Sequence, residues 1–371
     1  MRVLYVTDGF APFAIGGMQT YARRQLETLA TSGHDLISIT PGGANAPNGP
    51  LAWRNIALPW PGRSLLRRFS PWRYADDLRL FSREVARVAD ELKPDVIYSE
   101  GPLVHALLHR DRRAAPIIFN PHGLEMYQQK GSLTDDLKSM PLRGIVADHA
   151  RRADCTVSLS ANGQLQRILR DRIGLPADRI AVLPNAAPES RVVTRQSSGS
   201  KFLFVGRDEP RKALPLLLDS FRDVPGATLD LVGISAASDM PPGVTAHGSI
   251  RDREAVYRFY TEADFLVLPS HAEGMPTVIL EAFAAGLPAI ATDVGANADL
   301  VRTGETGVLI SRNDRSALAD AMRGAMALPL AERARLSANA IQLANGPFSA
   351  QSARRQLLDL LDELTKVSKD R

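Results

Sequence analysis

"MRVLYVTDGFAPFAIGGMQTYARRQLETLATSGHDLISIT", Met1 to Thr40, contains a strand, a helix and a second strand in close succession. "RVLYVTD" is an apolar, β-branched run stopped by Asp8, and "DLISIT" is another, bounded by Gly33 and Pro41. Between them Met18 to Thr31 carries Tyr21, Leu26 and Leu29 near helical spacing and ends at Gly33. This order predicts a βαβ unit, whose strands run parallel beneath the helix. Further along, "DVIYSE", "PIIFNPHG", "DCTVSLS" and "RIAVLPN" read as strands bounded by Gly, Pro, Asn or Asp. A repeated βαβ rhythm builds a parallel sheet with helices on both faces, and such sheets take ligands at the carboxyl ends of their strands.

The rhythm breaks at Pro188 to Ser200, "PESRVVTRQSSGS", a polar, Ser-rich stretch that reads as a linker. It then resumes with "KFLFVG", "TLDLVG", "VTAHGS", "ADFLVLPS", "LPAIATD" and "TGVLI". From Arg315 onward the chain is helical in character, with a break at Gly346-Pro347 before an amphipathic stretch from Ala350 to Val367. The expected organisation is a first α/β domain over 1–190, a second over 191–345, and a terminal helix over 346–371 that returns to the first domain. At 371 residues the chain also exceeds what one ordinary core holds. Two such domains face each other across a cleft lined by strand ends and helix N-termini, which suits a phosphate-bearing ligand.

Composition narrows the classes. With 45 Lys+Arg against 41 Asp+Glu the charge is too balanced to argue for nucleic acid. No apolar run approaches the roughly 20 residues of a spanning helix, and the short N-terminal run, containing Asp8, reads as a buried strand rather than a signal peptide. The single cysteine, Cys155, allows no internal disulfide, which agrees with a cytoplasmic setting. Leu51 to Tyr74, "LAWRNIALPWPGRSLLRRFSPWRY", has five arginines, no acid and all three tryptophans of the chain. Trp53, Trp60, Arg63, Arg67, Arg68 and Trp72 are therefore candidates either for contact with an anionic membrane or for an acceptor loop.

Three loops carry candidate chemistry. Gly16-Gly17 precedes the first helix, where missing side chains let a ligand approach the backbone, although the G-x-G-x-x-G dinucleotide spacing is lacking. In "FLFVGRDEPRKALPLLL", Arg207 and Lys212 stand between a strand and a helix, a disposition suited to clamping a diphosphate without a metal. In "HAEGMPTVILEAFAAGLPAIAT", His271 to Thr292, Gly274 and Pro276 place Glu273 in a loop and start a helix near Pro276-Thr277, so that Glu281 falls within its first two turns. A carboxylate accepts hydrogen bonds from paired sugar hydroxyls, so one glutamate suits a ribose and the other a hexose, with backbone N–H groups between them for phosphate.

"EGMPTVILE" resembles the Glu-x7-Glu signature of the retaining glycosyltransferases of family four, which have the GT-B fold of two facing Rossmann-like domains. The likeness extends over almost the whole chain, through "GGMQTYARRQLETLATSGHDL", "KPDVIYSE", "PHGLE", "VLPNAAP", "FVGRDEPRK" and "GETGVLI" in the family's order. It implies a nucleotide-sugar donor whose ribose is held by Glu281 and whose sugar lies by Glu273, with backbone groups from Gly274, Met275, Pro276 and Thr277. It also implies that Arg207 and Lys212 hold the diphosphate, that the Gly16-Gly17 loop closes over the donor, and that His122 lies near the reacting sugar. No cofactor or metal is implied, and no Asp-x-Asp motif occurs.

The sequence departs from the family at Ala213, where Gly is usual, at Met275-Pro276, commonly Phe-Gly, at Asp299, often Glu, and in "LVGISAASD", which lacks a second glycine. The implied activity is hexosyl transfer with retention to a glycan or lipid-linked acceptor, in bacterial cell-surface polysaccharide or glycolipid synthesis, at the inner face of the plasma membrane. A nucleotide-sugar epimerase of the same architecture and a non-catalytic nucleotide-sugar-binding scaffold are the competing readings.

Overall fold

The computed structural model describes residues 1–11, 13, 17–42, 51–61, 71–113, 115–129, 133–191, 199–236 and 238–369, with the side chains at 71–74, 135 and 367–369 excepted. Gly16, Arg63, Arg67 and Arg68 lie outside the described residues, as does the side chain of Trp72.

The first half runs β1 (Arg2–Val6), α1 (Gly17–Ala30), β2 (Asp35–Pro41), β3 (Arg54–Leu58), α2 (Pro71–Leu92), β4 (Val96–Glu100), α3 (His105–Leu108), β5 (Ile117–Asn120), α4 (Leu133–Arg152), β6 (Cys155–Ser158), α5 (Gln164–Arg167) and β7 (Ile180–Val182). The second runs β8 (Lys201–Val205), α6 (Leu214–Phe221), β9 (Thr228–Val232), β10 (Val244–Ala246), α7 (Arg253–Glu262), β11 (Phe265–Leu268), α8 (Thr277–Ala284), β12 (Ala289–Thr292), α9 (Asn297–Leu300), β13 (Gly307–Ile310), α10 (Arg315–Ala327), α11 (Leu330–Asn345) and α12 (Ala350–Lys369).

The strands form two sheets, ordered β3-β2-β1-β4-β5-β6-β7 and β10-β9-β8-β11-β12-β13. Every pairing is parallel, as the βαβ rhythm requires. Central strands such as β4 and β11 are buried at every position, because helices cover both faces and both must be apolar. Chain direction across each sheet reverses between β1 and β4 and between β8 and β11, and these switch points open a crevice at the strands' carboxyl ends.

One face of the first sheet is closed by α1 and α12 together. Leu357, Leu360 and Leu361 of α12 share a buried cluster with Val3, Leu26, Tyr98 and Ile118, and Arg354 donates to Thr31 Oγ1 at 2.9 Å. The chain thus passes between the sheets twice, and the two passages touch where Ala187 N–H donates to the Phe348 carbonyl at 2.7 Å.

Candidate active site

The crevices of the two sheets face each other and form a cleft of about 700 Å³. Gly17 and Tyr21 of α1, the 121–126 turn after β5, the 206–212 loop after β8 and the 273–278 segment opening α8 all line it. Short side-chain bonds close it across the domains. Gln128 donates to the carbonyls of Glu273 at 2.6 Å and Gly123 at 2.8 Å, and Glu273 N–H donates back to Gln128 Oε1 at 3.2 Å. Asn185 donates to the Met275 carbonyl at 2.6 Å, Gln164 accepts from Gly295 N–H at 2.7 Å, and Ser160 donates to Asp299.

Contact is closest where two glycines cross. A Cβ on Gly123 would stand 2.8 Å from Gly274 Cα, and one on Gly274 would stand 2.8 Å from Gly123 Cα, so any side chain at either position must separate the loops. A Cβ on Gly17 would stand 3.8 Å from Thr277 Oγ1, at the N-terminus of α8.

The second domain supplies a basic wall. After β8 the chain makes a single 3₁₀ turn, Pro210–Lys212, and Ala213 then takes a left-handed conformation, φ 53°, before α6 begins. That turn sends Arg211 and Lys212 inward. Lys212 Nζ lies 2.6 Å from Glu273 Oε1, and Arg211 lies 3.2 Å from Glu273 Oε2. Ser270 also donates to Oε1 at 2.6 Å. Burial works to raise the Glu273 pKa, but Lys212, Arg211 and the hydrogen bonds from Lys212 and Ser270 outweigh it and hold the carboxyl below its usual range. Arg207 stands at the mouth with its side chain 69% exposed, 2.8 Å from Glu209, which also holds Arg211 at 2.8 Å.

Glu281 lies on the face of α8 that carries Thr277, one turn on. Its carboxylate accepts from Tyr260 Oη at 2.8 Å, and burial raises its pKa against the opposing pull of Tyr260, Arg24 and Arg253. Unlike Thr277 and Val278, it does not line the cleft itself.

The first domain supplies a neutral floor. His122 is buried after β5 in a left-handed conformation, φ 56°, its N–H donating to Asn120 Oδ1 at 2.9 Å and its Nε2 without a partner. Burial lowers its pKa to about 4, which leaves the ring uncharged at neutral pH. Glu100, at the end of β4, lies 3.9 Å from that Nε2 and accepts from Tyr5 at 2.5 Å and Thr7 at 2.7 Å. Burial raises its pKa to about 8 in spite of these bonds.

Two family models match the chain in succession, one described as Glycosyltransferase Family 4 over residues 15–191 and one as Glycosyl transferases group 1 over residues 199–327. Together they take in most of the sequence and meet at the linker. The chain is a glycosyltransferase, its first half matched by the Family 4 model.

Relatives agree in extent. The glycogen synthase of Mycobacterium tuberculosis is 26% identical over 385 residues, covering 91% of this chain and 89% of its own. The sucrose-phosphate synthase of Thermosynechococcus elongatus superposes with a TM-score of 0.80 at 23% identity over 99% of both chains, and HepE of Anabaena, solved with UDP-glucose, with a TM-score of 0.67 at 18% identity over 98% of this chain and all of its own. These structures share the GT-B fold.

Within this glycosyltransferase, Gly17, His122, Arg207, Lys212, Glu273, Gly274, Met275, Pro276 and Thr277 all line one cleft. Sequence reasoning overlooked four residues that the fold brings to the cleft or into contact with its lining. Arg211 was visible beside Lys212 in "PRK", whereas Gln128, Asn185 and Glu100 carried no local signal.

The tryptophan stretch needs correction. Trp53 is 8% exposed, donates its indole N–H to Ser38 at 3.0 Å and packs on Phe10, so it is a core residue and not an interfacial anchor. Trp60 is partly buried against Phe81, with ring centroids 5.1 Å apart. Among the described residues no helix is long and apolar enough to cross a membrane.

Proposed function

We propose that the protein transfers a hexosyl unit, with retention of anomeric configuration and without a catalytic metal, from a uridine-diphosphate sugar to a glycan or lipid-linked acceptor of the cell surface. The convergence of Arg211 and Lys212 on the buried Glu273 at the mouth of α8 carries this reading. A diphosphate entering there competes with Glu273 for both cations and meets the unpaired N–H groups of the helix end. Arg207 closes over it from the mouth. The second domain is thus the donor side and the first, 1–190, the acceptor side. The uridine base is supported by HepE, whose structure holds UDP-glucose.

Charge on the leaving diphosphate is the main barrier, and fixed cations lower it without reorganisation. The bond from the anomeric carbon to the β-phosphate oxygen breaks, and the acceptor oxygen bonds to the same face. The acceptor's proton passes to the departing phosphate oxygen. An uncharged His122 suits a positioning role towards a sugar hydroxyl, and Glu273 orients Lys212 as well as the sugar. Glu281 binds the ribose, to which it must turn from Tyr260.

The test is a thermal-shift panel of UDP, GDP, ADP and their sugar conjugates with and without EDTA, since a ligand of the native state raises its midpoint. A shift with uridine nucleotides that survives EDTA is expected, followed by an α-configured product from an α-configured donor. No shift with any nucleotide overturns the reading, and isomerised donor without acceptor favours the epimerase.

A further inference from the structure

A second cavity of about 230 Å³ in the first domain lies between α2, α3 and α4, lined by His105, His109, Asp148 and His149. Three of the chain's seven histidines meet there with one carboxylate. His109 Nε2 is 3.3 Å and His105 Nδ1 3.8 Å from Asp148 Oδ2, and one donor atom from each of these three residues lies within 4.8 Å of the others.

The outer hydrogen bonds decide which lone pairs face inward. His109 Nδ1 is 2.9 Å from the His105 carbonyl and His149 Nδ1 is 2.8 Å from the Ile145 carbonyl. A carbonyl accepts only, so both Nδ1 atoms carry the proton and both Nε2 atoms present lone pairs. Arg152 holds Asp148 Oδ1 at 2.8 Å, which leaves Oδ2 to the cluster. His149 is fully buried, and its Nε2 and Asp148 Oδ2 have no hydrogen-bond partner. His109 thus turns an Nε2 lone pair towards Asp148 Oδ2 from a ring whose other nitrogen is tied to a carbonyl, the arrangement of a metal-ligating histidine and its outer partner. The 3.3 Å separation of His109 Nε2 from Asp148 Oδ2 equals the ~3.3 Å edge of a tetrahedron with bonds of about 2.0–2.1 Å.

We propose that His105, His109 and Asp148 bind one divalent transition-metal ion of the zinc class, with water completing its coordination. The ion ties the turn after β4 to α4 and acts structurally, since the cluster lies outside the catalytic cleft. Nearby cations do not fill it: Arg79 pairs with Asp76 at 3.1 Å, and Arg152 is committed to Oδ1.

Untagged full-length protein, stripped with chelator and dialysed against Zn²⁺, is expected to retain one equivalent and to melt at a higher temperature. With Co²⁺ in place of Zn²⁺ it is expected to show the visible bands of a four-coordinate ion with nitrogen and oxygen ligands. The double variant H105Q/H109Q, at two partly exposed positions, is expected to lose more affinity than the ~10–100-fold that follows loss of an outer partner, with glycosyl transfer unchanged. Failure of the wild type to hold either metal overturns the proposal, as does equal retention by the double variant.

Discussion

Lys212 Nζ and Glu273 Oε1 lie 2.6 Å apart with side chains only 10% and 5% exposed, so the cleft contains a buried ion pair bridging the loops after β8 and β11. Removing one partner strands the other charge. Lys212→Met is expected to cost about 3–5 kcal/mol of stability, with Lys212→Met/Glu273→Gln less destabilised than the sum of the singles. Turnover of Lys212→Met should fall more than roughly 100-fold, as for loss of a preorganised charge donor. Urea titration and steady-state kinetics of the four proteins in the cycle check both, and strict additivity would remove the pair.

Gly274→Ala places a methyl group against the Gly123 backbone, 2.8 Å from its Cα. Since neither backbone can yield without the other, the cleft should open slightly and catalysis should fall by roughly 100-fold, the scale of an ångström's misplacement. Kinetics with small-angle scattering would register the change, and wild-type activity would show that the crossing is not needed.

Glu100 and His122 set opposite limbs of the pH profile. The Glu100 pKa is raised to about 8, so its stabilising contribution is full below its unfolded value and is lost as pH rises towards 8. The His122 pKa is lowered to about 4, so its contribution is present above about 6.5 and is lost as pH falls towards 4. Glu100→Gln should therefore flatten the alkaline fall in melting temperature, and His122→Gln should ease the acid one. Unchanged slopes in the two variants would refute these assignments.

Trp53→Ala should cost about 3–5 kcal/mol, as for a large aromatic removed from a core. If Trp53 were instead an interfacial anchor, the variant would keep its stability and lose only binding to anionic liposomes. Chemical denaturation and flotation separate the two.

The parallel sheets were legible because strands buried on both faces write continuous apolar runs, as in "DVIYSE" and "ADFLVLPS". β3 was not, since "RNIAL" pairs only with β2 at the sheet edge, is half exposed, and sits among tryptophans and arginines that suggested a surface role. Lys212 and Glu273 could be singled out from their loops, but the choice between Arg207 and Arg211 depends on how one 3₁₀ turn directs its side chains. The Glu100 environment rests on the β1–β4 register, which sets Tyr5 beside Tyr98 and so brings β1's hydroxyls to the carboxyl at the end of β4. No linear pattern encodes such a register.

A single covalent crossing lets two domains twist and slide as well as part. Here the crossings touch at a hydrogen bond from Ala187 to Phe348, and the second is anchored by α12 on the first sheet. Two linked crossings restrain twisting and sliding of the domains more than one would, while leaving Gly123 and Gly274 free of any covalent tie to each other. Entry to the cleft and exit from it are then governed by the same double tether.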